Sequence, residues 1–391
     1  MGKNERKAYL QAIRHRYHRA SKAGKTAILD EFCAVCAYHR KYAIRLLRYR
    51  HRPHRRVGRP GPKPVYGSPA LLTALKRLWF ATDQMCSKKL HAAIPLWLPG
   101  YEACYGPLPD TEHQRLLAMS PATIDRLLRP VRIREGRKGL AGTRPGSLLK
   151  QQIPIRTHHW DVTQPGFVEA DTVAHCGNSL AGDFVWSLTL TDIHTTWTEI
   201  RAIWNKGATG VLAQIQDIEA ALPFPLHGFD CDNGSEFLNY HLVQYFSEQP
   251  RPIAFTRSRP YRKNDNAHVE QKNWTHVRHL FGYDRFEQAD LVPLMNHLYA
   301  NEWSLYQNHF CPGMKLTDKR RINARYVKRY DQPKTPYQRV MDCEQVGAQV
   351  KSSLKALHES LNPFILKQQI EAKLRTIFQH VTVTSNVRQR L

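Results

Sequence analysis

Apolar residues recur at helical spacing through the first third of the chain. Ile28, Leu29, Phe32, Val35 and Cys36 form one stripe, which breaks near Ala37-Tyr38. In the run from His39 to Arg48, Ile44 and Leu47 can face a core while Arg40, Lys41, Arg45 and Arg48 face outward. Leu71, Leu72, Leu75, Leu78 and Trp79 repeat at the same period, as do Leu90, Ile94 and Trp97. Ser120-Pro121-Ala122-Thr123-Ile124-Asp125-Arg126-Leu127-Leu128 predicts a helix with a Ser N-cap and Pro at its first position, leaving Thr123 and Arg126 exposed. Between these helical regions, His51 to Gly67 carries four prolines and three glycines and reads as an extended linker.

The pattern then changes period. Residues 167–174, 183–191 and 195–203 read as strands, Val211 to Leu222 as an amphipathic helix and Leu226 to Cys231 as a strand. Phe237 to Phe246 follows as a helix, Pro252 to Thr256 as a last strand, and Asn264 to Asn273 opens another helix. Leu291 to Trp303 is helical, and Lys315 to Arg339 is basic and poor in apolar runs. Asn362-Pro363 starts a tail helix whose face is Phe364, Ile365, Ile370, Leu374, Ile377 and Phe378, suited to an oligomer contact or to docking on the same chain.

Charge adds what periodicity cannot. The 391 residues hold 58 Lys+Arg against 33 Asp+Glu, a net charge of +25, which points to a polyanionic partner. Residues 1–63 carry 18 Lys/Arg and 3 acids, whereas residues 161–250 carry only Arg201 and Lys206 against 12 acids. An acidic block in a DNA-binding chain makes electrostatic sense where cations sit, although several of these acids are expected to be solvated or to cap turns and helices.

Three acids stand out within or beside that block. Asp171 lies in the strand Phe167-Val168-Glu169-Ala170-Asp171-Thr172-Val173. Asp232 opens Asp232-Asn233-Gly234-Ser235-Glu236-Phe237, and Glu270 closes Asn266-Ala267-His268-Val269-Glu270. Two carboxylates at strand ends and one on a helix can converge on a pair of oxygen-loving cations, which suits phosphoryl transfer at DNA. Periodicity alone does not choose Asp171 over Glu169, or Asp232 over Asp230. Asp192 reads as a turn cap, and Glu236 as favouring the next helix N-terminus.

In these motifs and their order the chain resembles the integrase-core transposases of bacterial insertion sequences, within the retroviral integrase superfamily. The resemblance selects Asp171, Asp232 and Glu270 as catalytic and metal-holding residues. It implies an α/β fold: a ribonuclease-H-like integrase catalytic core preceded by an all-α helix-turn-helix DNA-binding region. It also implies two Mg2+ ions, with Mn2+ as a substitute, and double-stranded DNA (element ends and target DNA) as partner, bound by a homo-oligomer. The mobile basic loop of such proteins corresponds here to Arg257, Arg259, Arg262 and Lys263, and Lys272 and Arg278 follow as candidate phosphate contacts.

The expected organisation is a helix-turn-helix domain at 1–50 that uses Arg40, Lys41, Arg45 and Arg48, then a basic linker at 51–67 with Arg59 suited to a minor groove. A second helix-turn-helix-like domain at 68–135 presents Thr123 and Arg126. The catalytic core spans 153–305, and a basic region with a helical tail spans 306–391. A DNA-binding regulator with an inert core, or a nuclease that cuts without joining, are the alternatives. Cys33-Ala34-Val35-Cys36 with His39, and His175-Cys176, raise zinc only weakly; buried structural thiols and hard oxygen ligands fit better. The eight scattered cysteines suit reduced thiols, no run is long enough to span a membrane, and Met1 to Arg6 is neither a signal peptide nor a myristoylation site. A cytoplasmic, nucleoid-associated protein is expected.

Overall fold

The computed structural model describes residues 2–48, 65–134, 162–231, 236–237, 239–247, 252–257, 267–322 and 325–388. The chain divides into two compact units, Met1–Pro64 and Val65–Leu391. In the first, helices α1 (Lys3–Arg19), α2 (Lys22–Cys36) and α3 (Arg40–Arg48) enclose Ile13, Tyr17, Ile28, Leu29, Phe32, Cys36, Ala43 and Leu47. Ser21 Oγ caps α2 by accepting from Gly24 N at 3.3 Å, and Ala37, left-handed at φ 54°, ends that helix. Only three residues then separate α2 from α3. Val35, expected in the core stripe, is instead exposed; Ala43 takes a fully buried place in α3, with Ile44 partly buried beside it.

The second unit holds α4 (Pro69–Ala81), α5 (Ser87–Tyr105), α6 (Asp110–Leu117) and α7 (Pro121–Arg134). These helices, expected as a second helical domain at 68–135, lie in one compact unit with the residues that follow them. Leu71, Leu75, Leu78, Leu90, Ile94 and Trp97 share one core with Val277, Phe281, Tyr299, Tyr306, Phe310, Phe364, Ile370 and Ile377. Trp97 Nε1 donates to Phe310 O at 2.9 Å, Tyr306 Oη donates to Ala81 O at 3.1 Å, and Lys367 Nζ reaches Asp83 at 2.7 Å. An apolar stripe shows that a helix has a buried face, but not which distant segment covers it.

The sheet consists of β1 (Phe167–Ala174), β2 (Val185–Asp192), β3 (Thr198–Trp204), β4 (Gly228–Cys231) and β5 (Ala254–Arg257), in the order β3-β2-β1-β4-β5. The first three strands are antiparallel in sequence, and β4 and β5 run parallel to β1. The crossovers are α8 (Ala208–Ala221) and α9 (Tyr240–Ser247). This is the mixed sheet expected of a ribonuclease-H-like order, and it puts β1 at the centre with β4 beside it. Gly166 makes the junction possible. Its φ is +106°, a Cβ there would meet Pro225 O at 2.3 Å, and its carbonyl accepts from His227 N at 2.7 Å.

Beyond the sheet, α10 (Ala267–Lys272) continues through a π-helical stretch, Asn273–Arg278. α11 (Leu291–Leu298), a second π-helical stretch (Tyr299–Trp303) and α12 (Ser304–Phe310) cover one face of the sheet. A ribbon of β6 (Leu316–Ile322) and β7 (Arg325–Tyr330) follows, then α13 (Pro336–Asp342), α14 (Ala348–Ser360) and α15 (Pro363–Arg388). The tail face docks on its own chain: Phe364, Leu366, Ile370 and Ile377 are buried, while Ile365 points outward. No described helix is long and apolar enough to cross a membrane.

The edge strand β3 is closed by side chains. Asn308 Oδ1 accepts from Thr198 N and its Nδ2 donates to Thr198 O, both at 3.0 Å. Asn296 does the same at Ala202, at 2.6 and 3.0 Å.

Candidate active site

Several described acids of the 161–250 block have structural work. Asp192, fully buried, accepts from Gly166 N at 2.8 Å and from both Thr195 N and Thr195 Oγ1 at 2.6 Å, so it caps the turn after β2 as expected. Glu199 and Asp217 pair with the buried Arg201, and Glu219 accepts from Tyr245 Oη at 2.6 Å. The carboxylates on β1 and β4 are placed differently.

Opposed residues in paired strands share a face, so Glu169 and Asp171 of β1 lie on the same side as Thr191 and Thr189 of β2 and Asp230 of β4. Helix α10 crosses that side. Val269 N donates to the buried Glu169 Oε2 at 3.1 Å, and Asn273 Nδ2 donates to Asp171 Oδ2 at 2.7 Å. Asp171 Oδ1 accepts from Thr172 N at 2.7 Å, and Asp230 Oδ1 accepts from Thr256 Oγ1 at 2.6 Å. Glu169, which periodicity left as a rival to Asp171, thus fastens the start of the helix that carries Glu270, whereas Asp171 is only half-buried.

Asp232 lies outside the described residues, and Glu270 is described by its backbone alone, as the fourth residue of α10. The frame around them is defined. Cys231 is paired with Ala170, so β4 ends one residue before Asp232 alongside the residue before Asp171. On the far side of 232–235, Phe237 is fully buried against Phe229, and Glu236 Oε1 accepts from Lys206 Nζ at 2.7 Å and from Thr172 Oγ1 at 3.1 Å. The Glu236 carboxylate, expected to favour the next helix N-terminus, is thus engaged by Lys206 and Thr172, and Asn239 caps that helix, its Oδ1 accepting from Leu242 N at 3.1 Å. Burial alone would raise the Glu236 carboxyl. Hydrogen bonds from Lys206, its own backbone and Thr172, with the Lys206 charge, outweigh that and hold it below the ordinary value. No periodic signal marks Glu236 as a tether to β1, because its partners are 30 and 64 residues away.

Asn273, which sequence reading passed over, is the described residue in direct contact with Asp171 from the helix side. Its Oδ1 is buried without a hydrogen-bond partner. An amide oxygen with unused capacity beside a carboxylate is a hard-oxygen set of the kind Mg2+ and Mn2+ take.

The predicted DNA contacts fall into distinct settings. Arg40, Lys41, Arg45 and Arg48 are exposed on α3, with Arg40 paired to Asp30 and Arg45 over the Tyr42 ring at 5.0 Å. Arg126 is exposed, but Thr123 is buried: it sits in the first turn of α7, where Ser120 Oγ accepts from its N–H at 3.3 Å and its own Oγ1 accepts from Arg126 at 2.9 Å. Lys272 is half-buried, and burial together with the nearby Lys89 charge pushes its amine down to about 7. Arg278 is engaged within the protein: it donates to Ala174 O at 2.9 Å and lies over Tyr283 at 4.7 Å. Arg257 ends β5 and is described by its backbone; Arg59, Arg259, Arg262 and Lys263 lie outside the described residues.

The zinc ideas find no support. His175 is a core residue, with Nε2 2.7 Å from Ser187 Oγ and its ring edge-on to Phe281 and Phe286; burial pushes it down to about 3. None of the eight cysteines is in a disulfide, and Cys36 is buried.

No family model matches the sequence. A protein of Sinorhizobium fredii (strain NBRC 101917 / NGR234), "Uncharacterized protein y4rM", is 42% identical over 338 residues, covering 84% of this chain and 93% of that one. The chain belongs to the y4rM family. Among solved structures, the catalytic core domain of BIV integrase aligns with 44% of this y4rM-family chain and 91% of its own length, at 14% identity and a TM-score of 0.26. That superposition is too loose to equate side chains.

Proposed function

We propose that the chain is a DNA transposase or integrase-like recombinase, cleaving DNA at the ends of a mobile element and joining the freed 3′-hydroxyl to target DNA. One observation carries the reading: β1 and β4 are parallel neighbours with Ala170 opposite Cys231, while the helix bearing Glu270 is hydrogen-bonded to Glu169 and Asp171 of β1. In this reading Asp232, the next residue after Cys231, stands beside Asp171, and Glu270 completes the set. These three carboxylates would hold two Mg2+ ions, or Mn2+ in their place; when bound, such ions supply charge neutralisation and Lewis acidity at a phosphodiester.

The chain's own residues position the reactants. Asn273 fixes the Asp171 carboxylate from the π-helical stretch after α10, and Glu236, held by Lys206, is tied to β1 through Thr172. Water bonds to the phosphorus as the P–O bond to the 3′-oxygen breaks; one of its protons ends on the leaving oxygen as a 3′-hydroxyl, and the other passes to solvent from the new 5′-phosphate. The 3′-hydroxyl then displaces an oxygen at a target phosphorus, one P–O bond forming as another breaks. No energy-supplying nucleotide is needed, and positioning and electrostatics account for the rate.

The three-residue turn between α2 and α3 and the outward cations of α3 support a helix-turn-helix in which Arg40, Lys41, Arg45 and Arg48 reach a major groove. Arg59, Arg126, Arg257, Arg259, Arg262 and Lys263 would track phosphates, and joining two ends calls for a homo-oligomer on double-stranded DNA at the nucleoid. The test is incubation of the full chain with labelled element ends and a target plasmid in Mg2+, Mn2+ or EDTA, beside Asp232→Asn. Metal-dependent cleaved and joined products, absent in the variant, are expected. Tight binding without strand chemistry in either metal would favour a regulator with an inert core; cleavage without joining would favour a nuclease.

A further inference from the structure

The ribbon β6–β7 pairs with no other strand among the described residues. Its foot is tightly fastened. Gly313 and Lys334 exchange backbone hydrogen bonds of 2.9 and 3.0 Å, and Lys315 N donates to Asp331 Oδ1 at 2.6 Å. Arg339 grips Asp331 Oδ2 at 2.6 Å, and Lys315 Nζ donates to His194 O at 2.8 Å. An isolated two-stranded ribbon is marginal in water, so these clamps are what hold its position.

Above the foot the described side chains of the ribbon are largely uncovered. Arg320 and every residue from Tyr326 to Tyr330 are exposed, including the large apolar side chains of Val327 and Tyr330. Residues 316–330 hold six Lys/Arg and one acid, Asp318. Asp318 stands opposite Arg329 and pairs with Arg320 at 2.9 Å, while Lys319 stands directly opposite Lys328. Like charges at opposed positions destabilise a free ribbon, and a polyanion removes that cost.

We propose that β6–β7 is a second DNA-contacting element that enters the major groove of duplex DNA. Arg320, Lys328 and Arg329 meet phosphates and base edges, and Val327 and Tyr330 supply apolar contact. Strands about 4.8 Å apart fit a B-form major groove about 12 Å wide, which admits a two-stranded ribbon. The major groove of A-form RNA is too deep and narrow for side chains to read. The choice of DNA as the polyanion rests on the function proposed above; the ribbon itself shares no residue with the acidic site.

The experiment titrates the full chain, in EDTA, onto a short labelled duplex across a range of salt, beside the double variant Lys328→Gln/Arg329→Gln. The variant is expected to bind about tenfold more weakly or worse, with the slope of log affinity against log salt reduced by about 2. A duplex whose cytosines carry glucosylated hydroxymethyl groups, which fill the major groove, is expected to weaken the wild type by a larger factor than the variant, in which only α3 still meets the filled groove. Unchanged affinity and slope in the variant, indifference of the wild type to the filled groove, or equal ribbon-dependent binding to duplex RNA would overturn the proposal. Ribbon-dependent binding in a protein that never cleaves DNA in Mg2+ would uphold the ribbon while refuting the recombinase reading.

Discussion

The central strands of the five-stranded sheet are buried on both faces, whereas the described side chains of the β6–β7 ribbon are largely exposed. On the sheet, Val168, Ala170, Leu188 and Phe229 pack beneath α8 and α9, and Val173, Ile200 and Ala202 join the core built by the later helices. Each fully buried Leu or Phe there contributes about 1.5–3 kcal/mol, so strand positions are fixed and a carboxylate on β1 is held where the fold puts it. The ribbon is held only at its foot, and its exposed cations stay free to follow a partner. Precise chemistry is thus built on the buried sheet, and adaptable contact on the ribbon.

The comparison is sharpened most by separating activity from binding. Asp171→Asn or Asp232→Asn should lower cleavage by about 10³-fold or more, as expected when several kcal/mol of charge stabilisation is lost. Binding to duplex DNA in EDTA should stay within about twofold of wild type, a difference of about 0.4 kcal/mol. An equal loss in both assays would break the division of labour.

Gly166→Ala attacks the sheet where β1 meets β4. With φ at +106° and Pro225 O 2.3 Å from the new Cβ, unfolding in urea should show a loss of about 3 kcal/mol or more. An unchanged midpoint would mean that this junction does not set the strands.

Acid should separate the two regions by a smaller amount. His175 is neutral in the fold, its folded pKa pushed from 6.5 to about 3 by burial. The unfolded chain therefore takes up the proton first. The contribution is fully present above pH 6.5 and is lost as pH falls toward 3, about 2 kcal/mol of it by pH 5. Glu236, held below its ordinary value, adds a loss that begins only under about pH 4.5. Denaturation at pH 7 and 5 should show the stability change while the salt slope of binding stays constant.

The smallest effect is a null one. Lys328→Gln/Arg329→Gln should leave the unfolding free energy within about 0.5 kcal/mol of wild type. A larger shift would mean the ribbon supports the body.

The strand β1 was legible at both ends, because eight residues of β-favouring pattern lie between a Gly and a polar turn. The other strands of the sheet were legible to within a few residues. Partners distant in sequence were not. Thr123 counts as exposed on a helical wheel, but a Ser cap and the packing of α7 turn it inward. Lys272 looks like a surface cation until α10 folds it toward Lys89. Glu236 and Asn273 gave no periodic or motif signal of their own, since each acts on β1 across 64 or 102 residues of chain. The ribbon read only as a basic stretch, because residues that alternate without an apolar face leave a strand without its usual mark.

The amides of Asn296 and Asn308 have a consequence for assembly. They occupy the backbone donors and acceptors of Thr198 and Ala202, two places along β3 where another strand would pair, and so hinder extension of the sheet on that side into a second molecule. Copies of this protein that come together are steered away from growing the sheet from β3, which guards against the runaway stacking that open edges invite.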